Sequence, residues 1–233
     1  MVNEDGNECW DMSLEKYCAA AVSNVEAVLK KKGLCLPSKC TSPLSSGYRP
    51  EMDVTAELKE DGVRWYQELI GQLRWAIEIG RVDILLEVSL LSQHLVLPCE
   101  GHLEQALHVI GYLKVHTKLR LMFDRAMPQF YGKMFKSYDW EDFYRGAKEQ
   151  IPPNMPEARG LPVDIIVFVD SDHGGNKTNR RSQTGVLIFL NKAPIHWLSK
   201  RQPSVETSTF GAKFCEMKVA VEMTEALKYK LCM

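Results

Sequence analysis

The sequence predicts a chain of mixed class, α+β passing into α/β, in which a helical first half is followed by a β-β-β-α unit. Three observations predict it. Apolar residues recur at helical spacing in four stretches before residue 117. A proline-rich run, IPPNMPEARGLP at 151–162, then breaks the pattern. Beyond it, three β-branched and aromatic runs joined by short turns lead into one long helical stretch.

The elements follow in order. Leu14, Tyr17, Ala21, Val25 and Val28 share one helix face, with lysines in the last turn and Gly33 where the helix would stop. The stretch after it, 36–55, holds three prolines and many serines and reads as an ordered or semi-ordered connector. Helices are expected at Val63–Ile79 (Tyr66, Leu69, Ile70, Leu73, Ile77), at Val82–Leu97 and at His102–His116. Helix faces must bury themselves, so these stripes read as core. Leu119–Phe123 alternates like a short strand, and YDWEDFYRGAKEQ at 138–150 suits a short surface helix. Strands are expected at Val163–Asp170, Thr184–Leu190 and Ile195–Lys200, and a helix at Thr207–Leu231. The organisation expected is residues 10–135, a linker at 136–162, and a second unit at 163–233.

Of 233 residues, 45% are hydrophobic and 25% charged, a globular composition, and the net charge of −1 excludes a chain basic throughout while allowing a local basic face. No apolar run approaches the roughly 18 residues of a membrane span, and the acidic start does not resemble a secretory signal, so an intracellular protein without a membrane partner is expected. Seven scattered cysteines form no Cys-x-x-Cys pair and read as reduced thiols. His102 and His108, six apart on one helix, point to different faces and do not suggest zinc.

Chemistry concentrates in FVDSDHGG, residues 168–175. Asp170 ends an apolar strand, and Asp172 lies two residues on, toward the same side. Two readings stand: a solvated turn, or the first carboxylates of a site for two divalent ions, which several carboxylates must neutralise. From His173 to Val205 there are six Lys and Arg residues, Lys177, Arg180, Arg181, Lys192, Lys200 and Arg201, and no acid. Gathered in space, such cations suit a phosphate backbone; spread out, they are a solvated face.

The run LIGQLRWAIEIGRVDILLEVSLLSQHLVLPCEGHLEQALHVIGYLKVH (69–116) resembles the segment that follows the reverse-transcriptase palm in copia-type retrotransposon Pol polyproteins. FVDSDHGG, RRSQTGVLIFLNKAPIHWLSKRQ and VETSTFG resemble the ribonuclease H domain downstream of it in the same family. The resemblance spans about residues 10–233. It implies a connection segment from the end of the reverse-transcriptase region and a truncated ribonuclease H-like unit. The polymerase's Tyr-x-Asp-Asp turn lies upstream in the family and is absent here, which excludes polymerase chemistry.

The resemblance assigns Asp170 to the first metal ligand, with Asp172 a second candidate, and places Lys213 where the family has a ligating glutamate. An ammonium there repels divalent ions. Glu216, a turn away, or Glu206 would have to substitute, and further family aspartates lie beyond this stretch of sequence. The expectations are therefore Mg²⁺ or Mn²⁺ if the unit is active and no cofactor otherwise. Expected partners are an RNA–DNA hybrid or other nucleic acid, through Lys177, Arg180, Arg181, Lys200 and Arg201, and other Pol segments. Three functions follow from these: a catalytically silent Pol fragment that retains nucleic-acid binding, a hybrid-cleaving enzyme completed in trans, and a non-catalytic binding or interaction module.

Overall fold

The computed structural model describes residues 2, 6, 8–129, 139, 141–147, 153–155, 157 and 160–232. Twelve residues of the expected linker, five of them in the proline-rich run, lie outside the described residues. A short helix, α5, does stand at Glu141–Tyr144.

The first half opens with a strand the sequence reading did not anticipate. β1 (Trp10–Ser13) pairs antiparallel with β2 (Arg120–Phe123), Trp10 opposite Phe123, and Arg120 Nη1 donates to Asp11 Oδ2 across the pair at 2.6 Å. Helix α1 (Glu15–Lys31) follows, with Glu15 in its first turn and Lys30 and Lys31 in its last, each favourable to the helix dipole. Its buried face is Cys18, Ala21, Val22, Val25 and Leu29. Of the expected stripe, Leu14, Ala21 and Val25 are buried and Tyr17 packs on the core, whereas Val28 is exposed. Cys18, Val22 and Leu29 widen the buried face.

Helix α2 (Glu60–Glu78) buries Tyr66, Leu69, Ile70, Leu73 and Ile77 as its spacing predicts. The single helix expected over Val82–Leu97 is instead three short pieces: a 3₁₀ turn at Val82–Ile84, α3 (Leu85–Leu91), and a second 3₁₀ turn at Ser92–His94. The Ser92 hydroxyl donates to the Ser89 carbonyl at 2.9 Å, a local bond that competes with the helical ladder, and Val96 and Leu97 are left exposed. Helix α4 (Glu100–Val115) begins at Cys99, whose N–H donates to His102 Nδ1 at 2.8 Å. The other ring nitrogen of His102 lies 2.8 Å from the Pro50 carbonyl oxygen, whereas His108 lies against Ser42 and Cys40. The two histidines do face different neighbours.

The connector packs on α4 because glycine permits it. A Cβ at Gly111 would sit 2.7 Å from Cys40 Sγ and 2.9 Å from the Pro37 carbonyl oxygen, closer than side chains tolerate.

The second half is a three-stranded antiparallel sheet, in order β3 (Ile165–Asp172), β4 (Gln183–Leu190), β5 (Ala193–Arg201), followed by α6 (Thr209–Cys232). Ile165, Val167, Val186, Ile188, Leu198, Ala220, Met223 and Leu227 join sheet and helix in a small core. The two halves touch. Trp197 packs on the helical core and its indole N–H donates to the Ile77 carbonyl at 2.9 Å. Ser89 Oγ donates to the Ser199 carbonyl at 2.8 Å, and Gln183 Nε2 lies 2.9 Å from both the Ser89 and Ser199 hydroxyls.

Candidate nucleic-acid interface and the carboxylate strand

Side chains alternate along β3, so Ile165, Val167 and Ser171 face α6 while Phe168, Asp170 and Asp172 face the other way. The second group lines a cleft of about 660 Å³ between the sheet and α3, walled also by Leu85, Leu86, Glu87 and Trp197. Asp170 and Asp172 do share a side, as alternation requires. Their surroundings differ. The Asp172 carboxylate accepts the backbone N–H of Gln183 and presses on Gly175, where a Cβ would fall 1.5 Å from its Oδ2. It therefore closes the β3–β4 turn, and Gly175 is required for the fit. Asp170 stands opposite Gly185 of β4 and is exposed.

On α6 it is Glu216 that turns inward. It is 1% exposed, and its Oε1 and the Ser171 hydroxyl lie buried beside each other. Burial pushes the Glu216 carboxyl above its ordinary range and the nearby Asp170 charge adds to this, while Ser171 and the Lys213 ammonium act in the opposite sense. Lys213 itself is exposed. The buried position one turn from Lys213 is thus occupied by a carboxyl held above its ordinary range. Glu206 is engaged elsewhere, accepting from Ser204 Oγ at 2.7 Å. Among the described residues no three His, Cys, Asp or Glu groups are placed to hold a metal ion. Two carboxyls, one of them buried, with an ammonium beside them do not fit a site for two divalent cations.

The cations sort themselves by position along the sheet. Register puts Asp172, Gln183 and Arg201 at one end and Ile165, Leu190 and Ala193 at the other. Lys177, Arg180 and Arg181 belong to the β3–β4 turn and, with Lys200 and Arg201, gather at the first end. Lys192, in the β4–β5 turn, lies at the opposite end, about 24 Å away along an eight-residue strand. It cannot share a ligand with the rest.

Several local bonds shape the basic turn. Gly174 N–H donates to Ser182 Oγ at 3.0 Å, Asn176 Oδ1 accepts from Thr178 N and Asn179 N, and Arg180 takes a left-handed conformation (φ 58°) with its guanidinium over Gly174. The connector then closes against it. Lys177 N–H donates to Glu51 Oε1 at 3.1 Å, Thr178 Oγ1 donates to the Glu51 carbonyl at 3.0 Å, and Arg49 Nη1 donates to the Gly175 carbonyl at 3.3 Å.

The result is a pocket of about 210 Å³ lined by three arginines, Arg49, Arg181 and Arg201. Arg201 is held by Gln93 Oε1 at 3.1 Å, and Arg49 is half exposed with Glu51 3.8 Å away. Asp172 and Glu51 also line the pocket, but both accept backbone N–H groups. The sequence reading found Arg181 and Arg201 and missed Arg49, which lies more than 120 residues earlier in a connector whose spacing gives no signal.

The six cysteines described as free thiols form no disulfide, and no helix among the described residues is long and apolar enough to cross a membrane.

Comparison with known proteins gives consistent relatives at modest identity. Over 204 residues the chain is 27% identical to a protein assigned to transposon Ty5-1 in Saccharomyces cerevisiae, covering 88% of this chain and 52% of that protein. Over 187 residues it is 22% identical to the retrovirus-related Pol polyprotein from transposon RE1 of Arabidopsis thaliana, covering 80% of this chain and 10% of the polyprotein. Over 157 residues it is 23% identical to secreted RxLR effector protein 161 of Plasmopara viticola, covering 67% of this chain and 87% of that protein. The chain thus spans about half the length of the first relative and a tenth of the second. No family model and no solved structure matches it.

Proposed function

We propose that this chain, which is copia-type retrotransposon Pol sequence, is a catalytically silent segment of the reverse transcriptase and ribonuclease H region that binds nucleic acid through the arginine pocket at the β3–β4 turn. In this reading β3, β4, β5 and α6 are a ribonuclease H-like unit, and residues 10–135 are the connection segment docked on it. Its setting is intracellular, beside other Pol segments.

The observation that carries the reading is the joint placement of Asp170, Lys213 and Glu216. A two-metal nuclease needs several ionised carboxylates around its cations. Here one carboxylate is exposed on β3, one carboxyl is buried where desolvation disfavours its charge, and an ammonium stands beside it. Phosphate binding makes no such demand. Guanidinium groups stay charged and present forked donors that match phosphate oxygens. Arg49, Arg181 and Arg201 meet that need where helical half and sheet touch. Were a divalent ion to bind, Asp170 would be its ligand; its chemistry would be activation of water toward a phosphodiester.

The test is hybrid binding together with cleavage. A labelled RNA–DNA hybrid should bind in a salt-sensitive manner and stay intact in Mg²⁺ or Mn²⁺. Cleavage that Asp170→Asn abolishes would establish the enzyme completed in trans instead.

A further inference from the structure

Helix α6 has two apolar faces, and the sheet covers only one. Ala212, Glu216, Ala220, Met223 and Leu227 turn toward β3 and β4. Roughly 120° round the helix, at 100° per residue, runs a second stripe. Phe210 is 78% exposed, Phe214 59%, Met217 54%, Val221 49% and Leu231 46%.

The stripe is regular. Residues 210, 214, 217, 221, 224, 228 and 231 alternate steps of four and three, the seam of a coiled coil over about three heptads. Phe214, Val221 and Lys228 take the a positions, and Phe210, Met217, Thr224 and Leu231 the d positions. The polar members are accommodated. The Thr224 hydroxyl donates to the Ala220 carbonyl at 2.7 Å within its own helix, and a single lysine at an a position fixes register at some cost in stability. Phe210 and Phe214 stack with ring centroids 6.3 Å apart, so the start of the seam is preformed.

The flanking charges select the occupant. Lys218 and Glu225 flank the seam at successive e positions, and Lys213 lies at a g position. A parallel pairing with a second copy would set Lys213 against Lys218 of that copy, twice. An antiparallel pairing sets Lys218 against Glu225, twice, and places Phe214 across from Leu231. The pair Lys218 and Glu222 within the helix, 3.7 Å apart and well exposed on both sides, is a weak surface contact that leaves Lys218 free to switch.

We infer that α6 of this chain pairs antiparallel with α6 of a second copy through the stripe Phe210, Phe214, Met217, Val221 and Leu231. This goes beyond the nucleic-acid reading and does not rest on it. The seam is short, so the dimer forms at micromolar concentration and exchanges readily.

Sedimentation velocity from about 5 to 200 µM is the experiment. The wild type should shift from monomer to dimer across that range. Phe214→Glu, at an exposed position, should remain monomeric with unchanged far-ultraviolet circular dichroism. Lys218→Glu and Glu225→Lys should each weaken the dimer by roughly 3- to 10-fold, and the double exchange should restore it. Wild type that stays monomeric throughout would overturn the inference, as would a stripe that captures only a different Pol segment. A dimer indifferent to Phe214→Glu, or single charge reversals that the double exchange fails to rescue, would overturn it equally.

Discussion

Replacing Arg49 with Gln removes one of the three guanidinium groups of the pocket while leaving the turn's other bonds in place, since Lys177 and Thr178 dock on Glu51 and not on Arg49. If each arginine neutralises one phosphate, the wild type should lose affinity with salt at a slope of about −2.7 in log K against log concentration, at about −0.9 per phosphate. Between 50 and 200 mM salt that is roughly a 40-fold loss. The variant, with two contacts, should show a slope near −1.8 and a loss of roughly 12-fold. Fluorescence anisotropy with a labelled RNA–DNA hybrid measures both. Lys192→Gln, at the far end of the sheet, serves as the control and should leave the slope unchanged. An Arg49→Gln slope equal to that of wild type, or an equal drop in Lys192→Gln, would refute the assignment of binding to this pocket.

Three further outcomes follow from the same geometry. The Glu216 carboxyl is held above its ordinary range, so the folded state retains a proton that the unfolded state gives up; its contribution to stability is present below the unfolded value and is lost as pH rises through the folded one. Glu216→Gln should therefore melt higher than wild type at pH 8, with the gap closing toward pH 4, by circular dichroism; a gap that widens on acidification would contradict this. Arg81 is 1% exposed, donates to both Asp83 oxygens at 2.8 and 2.7 Å, and reaches Cys18 Sγ at 3.4 Å, so Arg81→Ala should cost about 3 kcal/mol in urea denaturation. A cost below about 1 kcal/mol would show that Arg81 is not holding the α2–α3 junction. Lys213→Glu exchanges an ammonium for a carboxylate beside Asp170 and Glu216 and should tighten Mn²⁺ binding at least roughly tenfold by calorimetry; unchanged affinity would mean that residue 213 does not act on that corner.

The periodic features were legible because burial imposes them directly. The α2 stripe from Tyr66 to Ile77 and the three strands lie where spacing puts them, within a residue or two. Phase and continuity were less so. Cys18 and Leu29 join the α1 face while Val28 turns to solvent, because residues of either kind satisfy the same local spacing and only the neighbouring helices decide. The break at Ser92–His94 was hidden for a similar reason, since a 3₁₀ turn and an α-helix share the i, i+3 neighbour. Strand β1 gave no signal because it is four residues long and its partner lies more than a hundred residues away.

The candidate site divides along the same line. Asp170, Arg181 and Arg201 could be picked out from local pattern. That Asp172 closes a turn depends on Gln183 and Gly175, and that Glu216 turns inward while Lys213 does not depends on which face of α6 meets β3. Arg49 enters through the docking of the connector, a tertiary event with no trace in local spacing.

The most direct measurement incubates the purified chain with a labelled RNA–DNA hybrid in Mg²⁺ or Mn²⁺, beside Asp170→Asn, and follows binding and the RNA strand in the same samples. The account predicts a salt-sensitive complex with the RNA strand intact in both proteins. Cleavage by the wild type that disappears in Asp170→Asn would contradict it.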